Sequence, residues 1–208
     1  MIDFVNQINA IRREVGTGQL AGAQARSVLL RRRYEATVED VWDACTSAER
    51  ISRWFMPVTG DLRLGGRYQL QGNAGGEILR CDAPSLLRLT WVMGEGPPSE
   101  VEVRLSAAGE ATEFELEHIA IVDPGMWDQF GPGAVGVGWD LGLLGLALHL
   151  AGGAIDNPEE WQTTAEAKDL MARSSQAWGA AYRAAGADPE QVASAVKQTT
   201  AFYTGDPA

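Results

Sequence analysis

The chain has 208 residues, 45% of them hydrophobic, with 17 basic and 28 acidic side chains and a formal net charge of −11. That supplies a packed core for one compact domain with extensions and excludes wholesale disorder. It also excludes a general binder of nucleic acid or anionic membranes, since phosphate contacts need clustered Lys and Arg, and residues 91–160 carry 1 basic and 13 acidic side chains. From the N-terminus, Met1-Ile2-Asp3-Phe4 lacks the basic and apolar regions of a secretory signal, so the expected compartment is the cytoplasm. Phe4, Ile8, Ile11 and Val15 recur at spacings of 4, 3 and 4, which predicts a helix over 2–15 ended by Gly16-Thr17-Gly18. Residues 1–25 are therefore taken as an N-terminal helical extension.

Ser27–Tyr34 reads as a strand with Val28, Leu30 and Tyr34 on one face. Thr37 is the expected N-cap of a helix carrying Val41, Trp42, Ala44 and Cys45, with Asp40 three residues on. A short helix near Ala48–Phe55 stops before Pro57. From Gly60 to His118 the period becomes two. Tyr68 and Leu70 follow a Gly65-Gly66 turn, and Leu79 and Cys81 share the next strand. Leu87, Leu89, Trp91 and Met93 alternate, and Gly94–Pro98 turns the chain. Val101, Val103 and Leu105 alternate against Glu100, Glu102 and Arg104. Phe114, Leu116 and His118 alternate against Glu113, Glu115 and Glu117. A run of hairpins means an antiparallel sheet with one inward face.

Gly136–Gly152 reads as a long helix with two apolar stripes, Trp139/Leu143/Leu146/Leu150 and Leu141/Leu144/Leu148. Apolar on most of its circumference, it needs cover on both sides. The sheet is one cover, and the C-terminal segment the other, with Gly138, Gly142 and Gly145 permitting close approach. Asp140 and His149 interrupt the apolar run, which falls short of the roughly 20 residues that span a membrane. A helix over 163–185 and another capped by Asp188-Pro189 complete the chain. The expected fold class is α+β, one long helix against one curved antiparallel sheet. The expected organisation is a central domain over 26–152 with a C-terminal helical extension over 153–208 packed on it.

Val41-Trp42 after the first strand, Arg53-Trp54-Phe55 before the second, Gly65-Gly66, Gly75-Gly76-Glu77 and Thr90-Trp91 resemble the START-like helix-grip superfamily, also called SRPBCC. Within it they look most like homologues of the activator of heat-shock-protein-90 ATPase. The residues at 131–151 and 201–205 are similar to a bacterial subgroup to which the resemblance assigns no activity. The resemblance covers roughly 26–152. It implies a START/Bet v-like, seven-stranded sheet gripping the C-terminal helix around an internal cavity, and ligands that are small and apolar or amphipathic. Fold is implied much better than function.

Inward candidates for a cavity wall are Tyr68, Leu89, Trp91, Met93, Phe114, Leu116, His118, Trp139 and Leu143. Trp54 and Phe55 are placed near the mouth, and Trp127 and Phe130, with Met126, over it as a gate. The bland alternative is that these large side chains fill the core. His118 shares the parity of Phe114 and Leu116, so it faces inward; with Tyr68 it is the candidate acid–base group if the fold carries a reaction. No nucleophile elbow, H-E-x-x-H or paired histidines appear, and Cys45 and Cys81 lack metal spacing, so neither cofactor nor metal is expected. Gly131–Gly136 spells G-x-G-x-x-G, but no parallel strand precedes it, and it is taken as a flexible lead-in to the long helix. Glu113, Glu115 and Glu117 are too far apart along one strand to chelate an ion, and Arg31 and Arg33 are the expected cross-strand partners. The leading expectation is a binder of a small apolar molecule. An enzyme of the same fold and a chaperone-associated interaction protein are the alternatives, and the glycine-lined helix leaves a homodimer open.

Overall fold

The computed structural model describes residues 4–97 and 99–206; residues 2 and 3 of the expected first helix and Pro98 of the expected turn lie outside them. After a short helix α1 (Phe4–Asn9) the chain enters a hairpin, β1 (Arg12–Leu20) and β2 (Ala23–Tyr34). Helices α2 (Val38–Thr46) and α3 (Ala48–Trp54) lead to β3 (Val58–Gly60), β4 (Arg67–Leu70), β5 (Gly75–Asp82), β6 (Leu86–Thr90), β7 (Ser99–Ala108) and β8 (Ala111–Ala120). Then come α4 (Pro124–Phe130), the long α5 (Gly133–Leu150), α6 (Pro158–Gln162), α7 (Ala165–Ala184) and α8 (Pro189–Thr204). The strands form one antiparallel sheet in the order β1-β2-β8-β7-β6-β5-β4-β3, with α5 across its inner face. The fold is the expected helix-grip, with eight strands among the described residues where seven were expected.

The extra strand corrects the N-terminal helical extension. Among the described residues of that stretch only Phe4–Asn9 is helical, and Gly16-Thr17-Gly18 lies inside β1 instead of ending a helix. Ile11 and Val15 are four apart, and a spacing of four puts residues on one face of a helix and of a strand alike. The hairpin turn is Ala21-Gly22, both at positive φ (49° and 81°), between the paired Leu20 and Ala23. Such a two-residue turn usually carries Asn-Gly or Asp-Gly, and alanine in that conformation hides the signal.

Register places Val28, Leu30, Val101, Val103, Leu105, Phe114 and Leu116 in the core. On the outer face Arg31 stands opposite Glu115 and donates to it at 2.6 Å, and Arg104 reaches Glu102 and Glu115. Arg33 stands opposite Glu113 in register but ion-pairs with Glu35. Exposed pairs of this kind are each worth about 0–1 kcal/mol and do not hold the sheet together.

α5 is long and apolar enough to cross a membrane by length and composition, yet it is a core helix, packed on both sides. Gly136, Asp140, Leu144 and Leu148, at successive steps of four, form the stripe toward α7 and α1, where Leu144 and Leu148 meet Ile8 and Leu170. The glycines divide between neighbours. A Cβ on Gly136 would lie 2.2 Å from the Trp178 ring and one on Gly133 2.7 Å from Thr199, so α7 and α8 approach through these. Gly138 faces Tyr203 of α8, but Gly142 and Gly145 face Phe55 and Trp54 instead of the C-terminal segment.

Candidate functional site

Between the inner face of the sheet, α5 and the end of α3 lies an apolar cavity of about 140 Å³, measured as space for the centre of a water-sized sphere. One water needs about 10–15 Å³ by that measure, so this is more than a packing defect. β6 to β8 supply Leu87, Leu89, Val101, Val103, Phe114 and Leu116; α5 supplies Trp139, Gly142 and Leu143; α3 and its end supply Ile51, Trp54 and Phe55. Tyr68, Leu70 and Ile78 line the far side.

An aromatic cluster forms one wall. Phe55 stacks on Trp139 at 6.3 Å and 12° between planes, Trp91 lies 4.9 Å from Trp139, and Trp54 lies 5.4 Å from Phe55. Three glycine contacts permit this arrangement: Gly142 and Gly145 let the α3 segment close on α5, and Gly76 meets Thr90 at backbone distance. In β5 the register shifts between Ile78 and Arg80. Such a shift resets the side-chain phase, so Ile78 and Cys81, three apart, both line the cavity while Leu79 is exposed.

Four polar groups of the wall are bonded within the protein. Trp54 Nε1 donates to Ala44 O at 2.9 Å, Tyr68 Oη to Thr90 O at 2.7 Å, Thr46 Oγ1 to Trp42 O at 2.8 Å, and Trp139 Nε1 to His118 Nδ1 at 3.1 Å. Burial pushes the Tyr68 phenol above its ordinary range and the Cys45 thiol up to about 12, so neither carries charge near neutrality. The site offers apolar surface and aromatic faces, with no charged group among the described residues of its lining.

Of the residues expected from sequence, the structure brings together Trp54, Phe55, Tyr68, Leu89, Trp91, Phe114, Leu116, Trp139 and Leu143. Met93 is not among them: it follows β6, beyond its last paired residue, and is 59% exposed. Trp127 and Phe130 do not gate the mouth. Trp127 packs edge-on against Tyr182 at 5.6 Å, Phe130 against Phe202 at 5.7 Å, and Met126 is exposed. His118 faces inward and is buried, but it lies behind the wall. Its Nε2 is 2.8 Å from Ser99 Oγ and its Nδ1 accepts from Trp139, so both ring nitrogens are occupied. Burial lowers its pKa to about 4, keeping the ring neutral. His149 accepts from Arg50 at 3.1 Å, outside the cavity. The wall residues missed by sequence reading include Ile51, Val58, Leu62 and Ile78. Ile51 and Val58 lie on short elements and Leu62 in the segment between β3 and β4, where position does not reveal facing; Ile78 was masked by the register shift.

A second buried polar cluster lies on the other side of α5. Asp140, fully buried, receives Arg13 Nε at 3.0 Å, Trp178 Nε1 at 3.1 Å and the Ser174 hydroxyl. Arg13 also donates to Ile8 O and Ile11 O, tying α1 to the same point. Desolvation raises the Asp140 pKa to about 6 against the pull of these donors. Nearby Arg32, buried too, holds Gln7 O at 3.2 Å and stacks over Tyr34.

The family model described as "Activator of Hsp90 ATPase homolog 1-like protein" matches residues 35–150. The chain is similar to CalU16 from Micromonospora echinospora, whose crystal structure is 39% identical, covering 84% of this chain and 99% of that one with a TM-score of 0.67. The solution structure of CalU16 gives a TM-score of 0.71. DynU16, a protein in the dynemicin biosynthetic locus, is 23% identical over 60% of this chain and 47% of that one, with a TM-score of 0.53, a likeness of fold alone. No curated protein matches.

Proposed function

The chain belongs to the activator of Hsp90 ATPase homolog 1-like family, and on that premise we propose that it binds a small, uncharged, apolar or amphipathic molecule in the cavity, without catalysing a reaction on it. The observation that carries this is the wall itself: aromatic and aliphatic surface whose polar atoms are largely satisfied inside the protein. A charged ligand would lose its hydration there with nothing in return. A flat or compact apolar molecule would gain about 25 cal/mol for each Å² of apolar surface removed from water. Acid–base chemistry at His118 or Tyr68 is disfavoured by the internal hydrogen bonds of both groups. The acidic outer face of β7 and β8 repels phosphate, so neither nucleic acid nor a membrane is the proposed partner. We place the protein in the cytoplasm, where the free Cys45 and Cys81 stay reduced.

Native mass spectrometry before and after organic extraction tests this, together with titration by the neutral dye N-phenyl-1-naphthylamine. Expected are a retained small molecule or saturable binding of one dye per chain. No retained mass and no saturable binding would overturn the proposal.

A further inference from the structure

Trp139 belongs to the cavity wall, where its ring touches those of Phe55 and Trp91. Its indole N–H can only donate, so the Nδ1 that receives it must carry a lone pair. The remaining proton of a neutral imidazole then sits on Nε2 and is donated to Ser99 Oγ, and the Ser99 hydroxyl proton goes on to Trp91 O. Every member of this chain is used once, in one direction, and both ends are cavity-wall residues. The histidine ring stands edge-on to Trp139 at 85° and to Trp91 at 61°.

We propose that His118 is the positioning residue of the cavity: as the tautomer protonated at Nε2 it fixes the Trp139 ring, and through that ring the shape of the aromatic wall and its affinity for ligand. The last step rests on the function proposed above; the fixing of Trp139 does not. The groups around His118 are Val28 and Val101 on the paired strands, Ser99, Trp91 and Trp139. None is charged, and burial alone lowers its pKa to about 4. Below that pH, Nδ1 becomes a donor facing the Trp139 donor, and the contact must open.

Three proteins test this: wild type, His118→Asn, which keeps an acceptor near the Nδ1 position, and His118→Leu, which has none. Nitrogen-15 spectra of the wild-type imidazole read the tautomer directly and need no variant. The Trp139 indole N–H, assigned by its loss in Trp139→Phe, reads the fixing by its protection from solvent exchange. We expect an Nε2–H tautomer and a protected indole in wild type and His118→Asn, and lost protection in His118→Leu. In the wild type, protection is lost as pH falls through about 4. N-phenyl-1-naphthylamine should bind His118→Leu about tenfold more weakly than wild type, the effect of about one lost hydrogen bond, and His118→Asn within about threefold. An Nδ1–H tautomer, or an indole equally protected in His118→Leu, overturns the inference. Equal dye affinity in wild type and His118→Leu overturns its extension to the ligand. A wild type that binds no dye while its indole behaves as expected overturns the proposed function and leaves the positioning role standing.

Discussion

The two faces of α5 are built to opposite specifications. Toward α7, the stripe Gly136, Asp140, Leu144 and Leu148 is closed on every level. Trp178 presses on Gly136, three donors converge on Asp140, and Leu170 covers the leucines. Toward the sheet, Trp139, Gly142 and Leu143 border an open space, and the polar atoms there are turned back into the protein. Protein interiors are close-packed with few voids larger than a water molecule, whereas ligand pockets are concave and mostly apolar. One helix thus holds the C-terminal helices with one side and presents a wall with the other.

The largest effect is expected from Asp140→Ala. It leaves the Arg13 guanidinium buried beside three broken contacts, and breaking one partner of a buried pair costs about 3–5 kcal/mol. Urea unfolding should show it, and a loss under about 1 kcal/mol would remove the cluster as an anchor. Acidification separates the faces next, because their titrating groups work in opposite directions. Asp140 is raised from 3.8 to about 6, so its contribution favours the folded state as pH falls through 6, and is lost as pH rises. His118 is lowered from 6.5 to about 4, so its contribution is present above pH 6.5 and lost as pH falls toward 4. Each is worth about 3 kcal/mol. His118→Leu should therefore gain stability, relative to wild type, as pH falls from 6.5 to 4. Asp140→Asn should lose it over the same range. Parallel stability curves for the three proteins would contradict the assignment.

Smaller still is the contrast between two glycines six residues apart on the same helix. Gly136→Ala pushes a methyl to 2.2 Å from the Trp178 ring and should cost about 1–3 kcal/mol. Gly142→Ala meets Phe55 at 3.4 Å, and its better helix propensity, about 1 kcal/mol, offsets the crowding. Melting temperatures should fall for the first and barely move for the second; equal losses would mean that the two faces are packed alike.

Much of the cavity was legible because strands announce their faces. Leu89, Phe114 and Leu116 could be placed by parity, and Trp139 and Leu143 by the helical stripe they share. Parity failed where the chain broke it. The register shift after Ile78 exchanged Leu79 for Ile78, and the end of β6 released Met93 to solvent. Parity also places His118 on the inner face without revealing that Trp139 and Ser99 occupy both its nitrogens. The Asp140 cluster was invisible for another reason. Its members, Arg13, Asp140, Ser174 and Trp178, come from three distant segments. In the sequence Asp140 is only an interruption in an apolar helix, and Arg13 lies in a segment whose helical spacing concealed a strand.

The most direct test of the cavity is to fill it from the sheet side. Leu89→Trp adds an indole to a cavity-wall residue on β6, on the other side of α5 from the Asp140 cluster. Calorimetric titration with N-phenyl-1-naphthylamine should show saturable one-to-one binding to wild type and none to Leu89→Trp. Both proteins should melt within a few degrees of each other. Equal affinity in both would mean that the dye binds elsewhere and that the open face of α5 is not a binding site.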